Sequence, residues 1–218
     1  MLEIMYAELH IPSDSRKTND NYAMQLKQKD EATYRHSVRV ALLAADIAEY
    51  LNIDPYACGF IGAMHDIGKV FLDDALLKKT QGFNEEDMKQ MRKHPEYSYQ
   101  ILKDANEFCA EVALRHHRYQ NDKYPLELHT QEVAPEPIID RFAMVIALAD
   151  YYDAAKHRVN DKHGEKRPLT EWEVRFHTLS DHPEQAKLIK ELYLAGIFGE
   201  AEHPPLLPRH SVHYRLAA

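Results

Sequence analysis

Histidine and aspartate stand in this sequence at positions that helical spacing turns toward a core. His36 continues the face carrying Val40, Leu43 and Ile47. His65 follows Ile61 by four residues and is itself followed by Asp66. His116 prolongs the stripe of Cys109, Val112 and Ala113, and Asp150 the stripe of Ile139, Phe142, Ala143 and Ile146. A carboxylate aimed into a core is costly unless it is paired or binds a metal. One inward histidine is ordinarily a satisfied core group. Five such groups on different helices point instead to a shared metal site. Neutral imidazole and carboxylate are the usual ligands of Fe, Mn, Zn and Ni, and helix bundles assemble them from facing helices.

The elements that must present these groups read as helices nearly throughout. Residues 33–51 carry a wide apolar face, with Val38, Ala41, Leu42 and Ala45 beside the first set. Asp54-Pro55 reads as a capped helix start, leading through Phe60, Ile61 and Met64 to a stop near Gly68. Asn84 opens another helix, with Glu85, Glu86 and Asp87 favoured by the positive end of its dipole. Further helices are predicted over 96–105, 107–117, 137–153 and 186–194. Thr170 and Glu173 fit a capping box, and Leu169 and Val174 a hydrophobic staple. Neither an alternating strand nor an internal repeat is visible. The fold class is therefore all-α, a helical bundle. Two irregular stretches interrupt it, 118–136 with Pro125 and Pro135, and 156–168 with five Lys/Arg against two acids.

Composition narrows the classes. The 218 residues are 44% hydrophobic and 28% charged, an ordinary balance for a globular chain with one sizeable core. With 27 Lys plus Arg against 35 Asp plus Glu the net charge is −8, which disfavours a binder of double-stranded nucleic acid. Apolar runs are too short to span a membrane, and residues 1–20 lack the apolar stretch of a secretory signal. Cys58 and Cys109 are too few for a disulfide framework, so a reducing cytoplasm is expected. There are 14 histidines and only 7 glycines, where average usage would give roughly 15 glycines.

The segment His65-Asp66-Ile67-Gly68-Lys69 resembles the signature of HD-domain metal-dependent phosphohydrolases, and more closely that of their HD-GYP branch. Four further motifs follow in order around it: His36-Ser37 with Val40, His94-Pro95, the pair His116-His117, and Ala149-Asp150-Tyr151-Tyr152-Asp153-Ala154. The resemblance implies an HD-domain bundle with a dinuclear centre in its core. It implies that His36, His65, Asp66 and Asp150 hold one metal. Asp66 would bridge to a second, held also by His94, His116 and His117. A carboxylate suits that role because its two oxygens can reach cations about 3.5–4 Å apart. Lys69 would point its ammonium at a substrate phosphate. Two divalent transition-metal ions are implied, Fe or Mn first, with Ni, Zn or Mg as alternatives.

Departures from the pattern lie where the family contacts its ligand. Ala32 replaces a glutamate associated with a third metal, and Glu31 is turned about 100° away, so two ions are expected rather than three. Arg118 replaces a glutamate after the paired histidines. The glycine-rich loop has become Asn121-Asp122-Lys123-Tyr124-Pro125, one residue shorter and without glycine. About eight residues are inserted before Arg167-Pro168, which match the family's Arg-Pro pair. Tyr124 and Arg167 are the residues expected to touch substrate, with Lys69. His10, His129, His163, His177, His182, His203, His210 and His213 are expected at the surface.

The resulting expectation is a catalytic domain over residues 31–200, an extension over 1–30 and a proline-rich tail over 201–218. Its reaction is hydrolysis of an anionic phosphate ester or nucleotide, such as a cyclic dinucleotide, by a hydroxide bridging two metals that act with Asp66 and Lys69. Two other readings share the ligand set. One is a mixed-valent di-iron oxygenase, the other a metal-binding sensor without turnover.

Overall fold

The computed structural model describes residues 2–79, 81–119, 123–125, 134–158 and 167–199. The stretches 120–122, 126–133, 159–166 and 200–218 lie outside them, and with them the first two residues of the shortened loop, the insertion and the tail. Eleven α-helices occur among the described residues, and no strand. They are α1 (Leu2–Glu8), α2 (Ser13–Lys29), α3 (Glu31–Tyr50), α4 (Pro55–Met64), α5 (Asp74–Leu77) and α6 (Glu85–Met91). α7 (His94–Leu102), α8 (Glu107–Arg115), α9 (Glu136–His157), α10 (Glu171–Asp181) and α11 (Ala186–Leu194) complete the set. No described helix is long and apolar enough to cross a membrane.

The capping chemistry appears where the residues require it. Asp54 accepts from the backbone N–H groups of Tyr56 and Ala57, and Pro55 opens α4. Reciprocal capping boxes start α6 (Asn84 with Asp87) and α10 (Thr170 with Glu173). Such a cap offsets about 1 kcal/mol of orphaned donors. α4 stops earlier than its apolar pattern suggests, at Met64, and the chain continues as a 3-10 turn over Ile67–Phe71. That break lets the neighbours His65 and Asp66, which a continuing helix would turn about 100° apart, both face the centre.

α3, α4, α8 and α9 pack around one core that includes Val40, Ile47, Phe60, Ile61, Val112 and Ile146, all fully buried. α7 lies on α8 and on the 67–71 turn. Residues 2–29 build two helices whose Met5, Tyr6 and nearby Ile11 enter that same core, α1 against α4 and α2 against α3. Residues 2–29 thus share the bundle's core, because α1 and the α1–α2 turn bring apolar groups that a polar composition conceals. Leu42 is an exception to the predicted α3 face: it is 46% exposed, and Ala44 and Ala48 take the buried positions. His182 is another, at 1% exposure rather than at the surface. Its ring meets Tyr151 edge-on at 4.8 Å beneath the end of α10.

Two glycines set the approach of elements that carry the site. A Cβ on Gly62 would sit 2.8 Å from the Ala41 Cα, so α4 lies directly against α3. A Cβ on Gly68 would sit 2.2 Å from the His94 carbonyl oxygen and 2.5 Å from the Ser98 nitrogen. Only glycine lets the 67–71 turn rest on the start of α7. Ser98 completes that junction, accepting from the Gly68 N–H at 2.9 Å and donating to the His65 carbonyl at 2.7 Å.

Candidate metal centre

Four histidines reach the centre of the bundle from α3, from the end of α4, from the start of α7 and from the end of α8. His65 and His116 are fully buried, and His36, His94 and Asp66 are 1% exposed. Three of these rings are aimed by one local device. The Nδ1–H of His65 donates to the Gly62 carbonyl at 2.8 Å, that of His94 to Met91 at 2.7 Å and that of His116 to Ala113 at 2.6 Å. Each acceptor belongs to the last turn of a helix, where carbonyls lack an intrahelical donor. A carbonyl can only accept, so Nδ1 carries the proton and the Nε2 lone pair faces inward.

The Nε2 atoms and carboxylates meet in two adjoining groups. His36, His65 and Asp150 bring one ligand atom each to within 4.8 Å of one another, as do His94, His116 and His117, and a third such set, His65, Asp66 and His116, joins the two. His36 Nε2 lies 2.9 Å from Asp150 Oδ1. Asp66 stands between the groups. Its Oδ2 is 3.5 Å from His65 Nε2 and 3.9 Å from His36 Nε2, and its Oδ1 is 3.2 Å from His94 Nε2. His117 Nε2 is 3.2 Å from His94 Nε2. The Nε2 atoms of His65 and His116 are buried with no hydrogen-bond partner among the described residues. A buried acceptor without a donor is costly, and a cation between these rings removes the cost. The donor set fits divalent transition metals, imidazole nitrogen and carboxylate oxygen without thiolate.

The electrostatics suit the same task. Burial opposes the charge on Asp66, yet the Lys69 ammonium and the His65 and His94 imidazoles hold its carboxyl well below the ordinary range. Asp150 is likewise kept ionised against its burial, chiefly by His36. Burial pushes His94 and His116 down to about 4 and lowers His65 as well. These rings are therefore neutral and ready to ligate at neutral pH. In the metal-free protein this has a cost in acid. The unfolded chain takes up protons near pH 6.5 that the native histidines refuse until about 4, so native stability falls as pH drops through that interval. The slope is about 1.4 kcal/mol per pH unit for each histidine. Urea unfolding of the chelated protein at pH 7 and pH 5 measures it, and equal midpoints would refute the neutral buried rings.

Lys69 is 8% exposed, and its Nζ lies 2.6 Å from Asp66 Oδ2, so its ammonium rests on the carboxylate between the two groups. Tyr124 stacks on His117 with centroids 4.3 Å apart and planes 19° apart, with the Arg92 guanidinium 5.7 Å from its ring centre. Arg92, at the end of α6, had no sequence signal beyond its place two residues before His94. Arg167 is engaged elsewhere, making paired bonds of 2.9 and 2.7 Å to Glu173 in the capping box of α10. Glu31 is exposed and paired with Arg35 at 2.7 Å, on the outside of α3. Asp153, part of the 149–154 motif but not among its implied ligands, is buried and accepts from His36 Nδ1 at 2.6 Å. The available signal was its spacing of three residues from Asp150 on one helix.

Comparison with known proteins agrees with this centre. Over 138 residues the chain is 33% identical to a cyclic di-GMP phosphodiesterase of Pseudomonas aeruginosa, covering 60% of this chain and 32% of that protein. Over 143 residues it is 32% identical to a cyclic di-GMP phosphodiesterase of Thermotoga maritima, covering 62% and 37%. A 3'3'-cGAMP-specific phosphodiesterase of Vibrio cholerae is 26% identical over 184 residues, 79% of this chain and 33% of that one. The chain thus spans about a third of the length of these relatives, whose names accord with the HD-GYP likeness. Among solved structures, the HD domain of the Listeria monocytogenes phosphodiesterase PgpH, in complex with cyclic-di-AMP, shares the fold. Its TM-score is 0.52 at 21% identity, over 84% of this chain and 88% of that one. Residues 33–155, more than half of the sequence and every candidate ligand of the centre, match the HD domain, and the chain belongs to that family.

Proposed function

We propose that this domain hydrolyses a phosphodiester of the nucleotide class at a two-cation centre. The observation that carries it is the convergence of His65 and His116, whose Nε2 atoms are buried and without hydrogen-bond partners among the described residues, on an ionised Asp66. The relatives named as cyclic di-GMP and 3'3'-cGAMP phosphodiesterases support the substrate class. One position would draw on His36, His65 and Asp150, the other on His94, His116 and His117, with Asp66 shared. Two divalent cations bound there would supply Lewis-acid charge, polarising a phosphoryl oxygen and making water acidic enough to attack phosphorus near neutral pH.

The remaining work falls to the chain's own groups. The Lys69 ammonium, which rests on Asp66 Oδ2, would be placed to neutralise a phosphoryl oxygen once cations shared that carboxylate. Tyr124, fixed flat on His117, forms one wall beside the reacting phosphate, and Arg92 adds positive charge at that wall. Arg167 would hold a substrate anion only in competition with Glu173.

Lys123 in place of a loop glycine, and the loss of one loop residue, make the entrance stiffer and more cationic. Cyclic di-GMP is then cleaved slowly or not at all, while smaller phosphate esters are accepted. The test is turnover by Mn- or Fe-loaded protein on cyclic di-GMP, its linear product and a small generic phosphodiester. Tyr124→Ala should raise KM about tenfold while leaving bound metal unchanged. Efficient, selective cleavage of cyclic di-GMP would refute the loop's restriction. No turnover of any of the three would refute the hydrolytic reading.

A further inference from the structure

His36 differs from the other buried ligand histidines in what holds its Nδ1. His65, His94 and His116 sit at helix ends and use carbonyls the helix leaves over. His36 sits inside the 20-residue α3, where main-chain carbonyls are already taken. Ser37, its neighbour, donates to the Thr33 carbonyl at 3.1 Å. In this structure the acceptor for His36 Nδ1–H comes from another element.

α9 supplies it. Asp150 and Asp153, three residues apart on one side of that helix, bracket the imidazole, Asp150 at Nε2 (2.9 Å) and Asp153 at Nδ1 (2.6 Å). A neutral imidazole has one N–H, so the two carboxylates compete for it. Asp153 is the better anchored. The Arg39 guanidinium donates to both its oxygens at 2.7 and 2.9 Å, and His157 Nδ1 lies 3.0 Å from Oδ1. The same α3 face that carries His36 thus carries, three residues on, the cation that immobilises its acceptor.

We infer that Asp153 is the positioning residue of the His36–His65–Asp150 metal position, acting through His36 by holding the proton on Nδ1 and the Nε2 lone pair toward the ion. A carboxylate in this place also makes the imidazole a stronger donor than a backbone carbonyl would. The two metal positions are accordingly unlike, the one carboxylate-backed and the other held mainly by histidines oriented by main chain.

The inference rests on the two-cation reading, and titration of the chelated, full chain with Mn2+ alone separates them. Wild type should take up two ions per chain; uptake of none would overturn that reading itself. Asp153→Ala should weaken one of the two sites about 10- to 100-fold and leave the other unchanged. Asp153→Asn, which keeps an oxygen for the Nδ1–H, should fall between the two. Arg39→Met should lower the melting temperature while both affinities stay within about threefold of wild type. If Asp153 merely ties α3 to α9, the Ala and Met variants lose melting temperature alike and neither loses metal; that result overturns the inference. Should Asp153→Ala fail to fold, wild-type affinity at both sites in Asp153→Asn would overturn it equally.

Discussion

Asp66→Ala is expected to empty both metal positions and to lower phosphodiester hydrolysis by about four orders of magnitude. The reason is the place of the carboxylate. Its two oxygens face different groups, Oδ1 toward His94 and Oδ2 toward His65 and His36, so neither position keeps its set without it. Loss of the several kcal/mol that two cations supply to a phosphoryl transition state gives the rate effect. His94→Ala provides the contrast, since it removes a ligand from one group only and should leave about one ion per chain. Metal content after gel filtration, with turnover on a small phosphodiester, measures both. Wild-type metal content in Asp66→Ala would sink the shared position. Full occupancy in His94→Ala would reduce His94 to a helix-end residue before Pro95.

Lys69→Met is expected to act in opposite directions on the metal-free and metal-loaded protein. Without metal, the buried pair between Lys69 and Asp66 is broken and an ionised carboxylate is left alone among the imidazoles. Breaking such a pair costs about 3–5 kcal/mol. With metal, the cations replace the ammonium, so the loaded variant should regain wild-type melting and bind metal somewhat more tightly than wild type. Turnover should nevertheless fall about a hundredfold or more, because the charge facing the phosphoryl oxygens is gone. Thermal melts with and without Mn2+, read beside kcat, distinguish these effects. A variant that melts as wild type without metal would show that the Lys69–Asp66 pair carries no weight. Unchanged kcat would remove Lys69 from the reaction.

The inward His36, His116 and Asp150 of α3, α8 and α9 are legible from residue spacing, because a 3.6-residue period fixes which side chains share a face. Caps are equally legible. Asp54 with Pro55, Asn84 with Asp87, and Thr170 with Glu173 each start a helix by satisfying donors within a few residues of themselves. The contribution of α1 and α2 is not legible. Met5, Tyr6 and Ile11 are few and set among polar residues, and their burial depends on α4 being there to receive them. His182 belongs with them, buried under Tyr151 by the packing of α10 on α9.

By itself, then, the sequence determined most of the helices, the all-α class and the kinds of candidate ligand, since these follow from local periodicity, capping and the types of donor atom present. The tertiary structure alone decided how those ligands are aimed and charged. Three histidines find their proton acceptors in helix-end carbonyls three residues before them, but His36 takes Asp153 from a helix more than a hundred residues away in sequence. The Gly68 turn had to meet α7 before Asp66 could stand between His65 and His94. Lys69 pairs with Asp66 locally, three residues apart at the same turn, but only the packing of that turn against α7 and the core buries the pair beside His94 and takes it out of water.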